Sequence, residues 1–201
     1  MKINYHLVWI LSLLLIACSD RPYLPALGND AVIVAFGDSL TRGYGAKESD
    51  SYPAVLEKLT GRTVINAGIT GEESLQGLLR LPEVLENYQP DLLILCHGGN
   101  DILRKRDLQT MANNLREMIL MANRKKIPVI MLGIPKPGIL LSALPVYREI
   151  ADSMEVLFIE DLISDVLGDG KMKSDAVHPN KEGYRKIAEG IYTILQESGA
   201  I

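Results

Sequence analysis

Five short, unbroken apolar runs punctuate the chain, at residues 32–36, 64–67, 92–96, 129–132 and 156–159. Runs of this length bounded by turn residues predict strands buried on both faces. The spacers between them carry helical periodicity at about 52–59, 74–88, 108–126, 144–154 and 181–196. In the third of these groups Leu115, Ile119 and Ala122 recur at helical intervals, while Arg116, Glu117 and Arg124 fall on other faces. Continuous apolar strands alternating with amphipathic helices predict a parallel sheet covered on both sides. The simplest topology for that count is a flavodoxin-like, three-layer α/β/α arrangement with five strands in the order 2-1-3-4-5. No internal repeat or second linker interrupts it, so residues 31–201 read as one domain.

The chain opens differently. MKINYHLVWILSLLLIACSD places a Lys near the start, an apolar run over residues 7–16, and a small residue before Cys18. Ten apolar residues fall short of the roughly 20 that span a bilayer, and the layout is that of a cleaved export signal. Leu15-Ile16-Ala17-Cys18 resembles a bacterial lipobox, which makes residues 1–17 a lipoprotein signal peptide and Cys18 the site of a lipid anchor. Residues 18–30, with two Pro and one Gly in SDRPYLPALGND, read as a tether from membrane to domain. The expected location is the cell envelope, on the periplasmic side of a membrane.

Composition adds exclusions. With 201 residues, 47% hydrophobic and 23% charged, the chain is an ordinary globular one. A formal charge of −4, with basic residues gathered only at Arg104–Lys105–Arg106 and Arg124–Lys125–Lys126, argues against a nucleic-acid partner. Two cysteines rule out a disulfide framework. Cys96, at the end of an apolar run, reads as a small core residue. Three histidines, one of them in the signal segment and none in a ligand pattern, predict no metal site. No cofactor is implied either.

In a sheet of this kind ligands bind beyond the carboxyl ends of the strands. Those ends carry GDSLTRGYGA (37–46), NAGITGEES (66–74) and HGGNDIL (97–103), and SDAVHPN (174–180) follows near the end of the chain. Taken singly, each has an ordinary explanation. Ser39 beside Asp38 could be a helix N-cap, Gly71 a turn residue, Asn100 with Asp101 another cap, and His178 a loop residue. Together they bring Ser, Gly, Asn and an Asp/His pair to one edge.

These four blocks resemble those of the SGNH subgroup of the GDSL hydrolases. GDSL lies at residues 37–40, the glycine block at NAGITG, GGND at 98–101 and DxxHPN at 175–180, and the likeness spans about 32–195. It extends through GLLRLPEVLENYQPDLLIL to the periplasmic thioesterase/lysophospholipase/arylesterase branch. Cys96-His97 departs from the pattern, where an acidic or aliphatic pair is expected before GGND. The resemblance implies the SGNH hydrolase fold and a serine esterase of carboxylic ester or thioester bonds. Ser39, His178 and Asp175 would form its catalytic triad, with Ser39 attacking, His178 as base and Asp175 orienting the imidazole. The oxyanion hole would be the N–H groups of Ser39 and Gly71 and the side-chain amide of Asn100. The family pattern selects Gly71 over Gly68, which is left to serve turn geometry. Asp38 would cap the first helix or brace the site, and Asp101 would anchor the Asn100 loop.

The substrate is a small ester or thioester, lipids included. Leu140, Leu141, Leu144 and Val146 would line an acyl groove, or belong to a helix starting near Ser142 that buries Leu144 and Tyr147. The basic trio at Arg104 would suit an anionic headgroup or acyl carrier, or be a solvated loop. A second reading with the same blocks is a carbohydrate O-acetyl esterase acting on envelope polysaccharide. A non-catalytic binding lipoprotein holding a phosphate cofactor in the first turn is a third, for which DxxH has no use.

Overall fold

The structure is a computed structural model that describes residues 24–138 and 141–201. The signal peptide, Cys18, the first part of the tether and Leu140 lie outside the described residues. Five strands form one parallel sheet in the order β2-β1-β3-β4-β5: β1 (Val32–Gly37), β2 (Thr63–Gly68), β3 (Leu92–Cys96), β4 (Val129–Leu132) and β5 (Leu157–Ile159). This is the expected topology. The strand sequences explain it: VIVAFG, LLILC and VIML bury nearly every residue, because helices cover both faces.

On one face α3 (Ser74–Tyr88) packs on α5 (Leu108–Arg124), and α5 on α6 (Pro145–Met154). On the other, α2 (Tyr52–Thr60) and α7 (Leu162–Gly168) pack on α8 (Lys181–Glu197). Side-chain caps mark helix starts. Asp107 accepts the Thr110 N–H at 2.7 Å, and Asn180 accepts those of Glu182 and Gly183 at 3.0 and 3.1 Å. Glu73 and Gln76 close a capping box on α3.

Three helices lie outside the periodic segments read from the sequence, although Asp38 reads as a cap of the first of them. α1 (Ser39–Arg42) and α4 (Gly99–Leu103) are four and five residues long, too short to print a helical period. α7 does leave a signal, with Ile163, Val166 and Leu167 buried at i, i+3 and i+4. α6 starts at Pro145, with Leu144 as its N-cap.

The tether also needs correcting from residue 24 onward. Leu24 and Leu27 are buried in the core, the Leu27 N–H donates to Ala200 O at 2.8 Å, and Arg62 donates to the carbonyls of Leu27 and Gly28. Two apolar side chains three residues apart outweigh the turn-forming composition around them.

Register sets the edge that matters. Gly37, the last residue of β1, pairs with Gly68 of β2 on one side and Cys96 of β3 on the other. The segments that follow these three strands, from Asp38, Ile69 and His97, therefore leave the sheet side by side.

Candidate active site

At the end of β1 the chain turns directly into α1. Asp38 caps this helix by accepting the Leu40 N–H at 3.0 Å and places Ser39 in its first turn. Such a tight turn needs room beside it. A Cβ on Gly68 would collide with the backbone of Arg42, and Gly68 has no left-handed φ, so close approach of α1 rather than turn geometry demands a glycine there.

Ser39 is brought against the distant SDAVHPN loop. Its Oγ lies 3.0 Å from His178 Nε2, and His178 Nδ1 lies 2.8 Å from Asp175 Oδ2. Asp175 Oδ1 also accepts the N–H groups of Val177 and His178, at 2.8 and 2.9 Å, which locks the carboxylate beside the ring. Burial works against the Asp175 charge, yet the Val177 N–H and the His178 ring and N–H hold its carboxyl below the usual value. Tyr44 packs against the imidazole in a tilted arrangement with ring centroids 4.6 Å apart, and Tyr184 O–H donates to the Tyr44 carbonyl at 2.8 Å.

Asp38 is fully buried between these groups and the Asn100 loop. Burial raises its pKa, against the lowering influence of His97, the Leu40 N–H and His178. Asn100, in α4, donates from Nδ2 to the Glu72 carbonyl at 3.0 Å and makes a looser 3.4 Å contact to Asp38 Oδ2. One amide hydrogen is thus anchored on the Glu72 carbonyl, and the weak contact to Asp38 leaves the second more readily given up to another acceptor. Asp101 ties this loop to α3, accepting Ser74 N–H and Oγ–H at 2.8 and 2.7 Å.

Gly71 sits in the turn from Ile69 to Glu72, closed by a 3.2 Å bond from Glu72 N to Ile69 O. Its φ of +81° is what the third position of a type II turn requires. Among the described residues neither the Gly71 nor the Ser39 N–H has a protein acceptor. Arg104 donates to the Gly71 carbonyl at 3.1 Å and, with Arg106, to the Glu73 carboxylate. The two arginines of the basic trio are therefore engaged in bracing this turn.

A cleft opens over these groups. Ser39, Asn100 and His178 lie at its polar end, and Leu103, Pro135, Pro137, Leu141, Leu167 and Val177 line the rest. Gly71 is not among the lining residues, and neither are Leu144 and Val146, which pack against the core. The apolar side chains from β4 onward thus divide their work, with Leu141 facing the cleft.

Residues 35–186 match the GDSL-like Lipase/Acylhydrolase family. The chain belongs to that family. Among curated relatives of this GDSL-family hydrolase, an arylesterase of Vibrio mimicus is 30% identical over 194 residues, covering 91% of this chain and 95% of the relative. The thioesterase 1/protease 1/lysophospholipase L1 of Escherichia coli K12 is 31% identical over 181 residues, covering 85% and 86%. A solved structure of AlinE4, an SGNH-hydrolase family esterase, superposes with a TM-score of 0.67 at 29% identity, covering 86% of this chain and 98% of that one. The GDSL-family chain is accordingly an SGNH-type ester hydrolase.

What sequence reasoning missed in this GDSL-family site lies behind it. Glu72 is 5% exposed and takes a bidentate pair from Arg80 at 2.8 and 2.7 Å, together with His97 Nε2 at 3.1 Å. Burial works to raise the Glu72 pKa, but the Arg80 guanidinium and the His97 ring hold the carboxyl below its ordinary 4.5. A carboxyl more acidic folded than unfolded adds stability above its unfolded pKa and loses that contribution as pH falls through the folded one. Wild-type Tm should therefore exceed that of Glu72→Gln by a constant margin above about pH 5.5, a margin that closes as the solution is acidified further. Thermal unfolding of both proteins across this range checks it, and a gap that persists into strong acid would refute the assignment.

Proposed function

We propose that this chain is a serine esterase of acyl substrates, in esters, thioesters or lysophospholipids, working through a Ser39-His178-Asp175 triad and an acyl-enzyme. The observation that carries the reading is the relay of 3.0 and 2.8 Å from Ser39 Oγ through the imidazole to Asp175, at the polar end of an apolar cleft. Ser39 Oγ attacks the carbonyl carbon as His178 Nε2 takes its proton, and Asp175 stabilises the resulting imidazolium. The carbonyl oxygen becomes an oxyanion received by the N–H groups of Ser39 and Gly71 and by Asn100 Nδ2. Collapse expels the alcohol or thiol with the proton from Nε2, leaving Ser39 acylated. Water, activated by the same imidazole, attacks next and releases the acid and the free serine.

The apolar lining supports an acyl chain rather than a sugar, since Leu103, Leu141, Leu167 and Val177 offer it contact area and no hydrogen bonds. The names of the relatives, arylesterase and thioesterase/lysophospholipase, agree with that substrate class. Hydrolysis of p-nitrophenyl esters from acetate to palmitate tests it. An optimum beyond acetate is expected, and activity confined to acetyl esters would favour the carbohydrate O-acetyl esterase instead.

Asn100→Ala is expected to lower kcat by about 10²-fold or more with a smaller effect on KM, because the donor matters most once charge has developed on oxygen. Steady-state kinetics on one ester suffices, and an unchanged kcat would remove Asn100 from the oxyanion hole.

We place the enzyme at the envelope, held by lipid on Cys18, from the Leu15-Ile16-Ala17-Cys18 segment. Esterase activity should sediment with membranes, and mass spectrometry of that protein should show an N-terminal Cys18 carrying acyl chains. An unmodified Cys18 would refute the anchor.

A further inference from the structure

His97 takes no part in the steps above, yet it is completely buried directly behind them, in the pair that departs from the family pattern. It follows the last residue of β3, and its ring is bonded at both ends. Nδ1 accepts the Gly98 N–H at 2.9 Å, so Nε2 carries the proton and donates to Glu72 Oε2 at 3.1 Å. The surroundings are shaped to it. A Cβ at Gly77 of α3 would collide with Nε2, and the Phe36 ring lies 5.8 Å away, centroid to centroid, under the Arg80 guanidinium.

The two bonds reach two different loops. Gly98 opens the segment that carries Asn100, and Glu72 follows Gly71 in the turn that presents its N–H. Asn100 Nδ2 and the Glu72 carbonyl join the same loops once more, at 3.0 Å. We propose that His97 is a positioning residue for the reaction, fixing the Asn100 loop relative to the Gly71 turn so that the two oxyanion donors converge on one oxygen. The inference rests on the esterase reading above. A neutral imidazole suits the task because it sets one acceptor and one donor at opposite ends of a rigid plane. A filler of the same size would occupy the socket and remove the link to the Glu72 side chain, leaving the Asn100 bond to the Glu72 carbonyl without its buried support.

The test is a double-mutant cycle on an ester substrate, with Ser39→Ala run beside it. His97→Leu should lower kcat by about 10- to 100-fold with KM changed less than about threefold, the cost of donors set slightly out of place. In an Asn100→Ala background the same change should cost less than about threefold, because one of the two groups to be aligned is gone. His97→Gln, which keeps a donor for Glu72 and folds where leucine fails, should recover part of kcat. A purely structural role would lower Tm while leaving kcat intact, or multiply through the Asn100→Ala background unchanged, and either result overturns the proposal. Loss of activity in Ser39→Ala alongside wild-type kcat in His97→Leu overturns it alone, as does, where leucine does not fold, a His97→Gln loss that multiplies through the Asn100→Ala background unchanged. Activity retained in Ser39→Ala overturns the esterase reading and this inference with it.

Discussion

Replacing Ser39 with alanine should lower kcat on any ester the enzyme accepts by about 10⁴-fold or more, with KM nearly unchanged. The variant removes one oxygen, and that oxygen is the atom His178 Nε2 faces at 3.0 Å. The cleft walls from Leu103 to Val177 stay where they are, so ground-state binding survives. The fold should survive as well. Ser39 occupies the first turn of a helix capped by Asp38 through the Leu40 N–H, and alanine suits a helical position better than serine. The lost hydrogen bond is worth only about 0.5–1.5 kcal/mol. A near-native Tm with vanished turnover is the expected pair of results. More than a tenth of wild-type kcat in a folded Ser39→Ala preparation would show that another group forms the acyl bond, and the mechanism would have to be abandoned.

The strands were legible because each is a short apolar run bounded by turn residues, and alternation with helical periods implied the parallel order. Ser39, Asn100, Asp175 and His178 were legible as four blocks in family order, although no local pattern joins Ser39 to a histidine 139 positions away. The support behind them was not. Glu72, Arg80 and His97 meet across separations of 8 and 25 residues, and as isolated letters they read as a loop acid, a helix surface base and an odd residue before GGND. Burial of Leu24 and Leu27 was hidden for a similar reason, since packing against the end of the chain depends on tertiary contacts that Pro and Gly content does not report. α1 and α4 escaped because helices of four and five residues have no period to detect. Their positions come instead from the strands that precede them and from the caps.

The Asp175→Asn variant should be nearly as inactive as Ser39→Ala, losing about 10³- to 10⁴-fold in kcat, although it changes the shape of the site hardly at all. Asp175 Oδ1 accepts two backbone N–H groups, and Oδ2 accepts the proton on His178 Nδ1 at 2.8 Å. In the asparagine the remaining oxygen is claimed by the backbone pair, which puts the amide NH₂ where Oδ2 was. That group can only donate, and Oδ1, 3.0 Å from Nδ1, already serves two backbone N–H groups, so the balance shifts to an accepting His178 Nδ1 with the proton on Nε2. An imidazole protonated at Nε2 has no lone pair for the Ser39 hydroxyl, and the serine is left without a base. Asp175→Ala lacks this shift of tautomer, so it should retain at least as much activity as Asp175→Asn despite losing more of the loop's hydrogen bonding. Kinetics of the two variants, with nitrogen-detected NMR of the His178 ring to read which nitrogen holds the proton, tests the argument. An Asp175→Asn enzyme within about tenfold of wild type would mean that the carboxylate neither selects the tautomer nor stabilises the imidazolium, and its part in the triad would reduce to holding the loop.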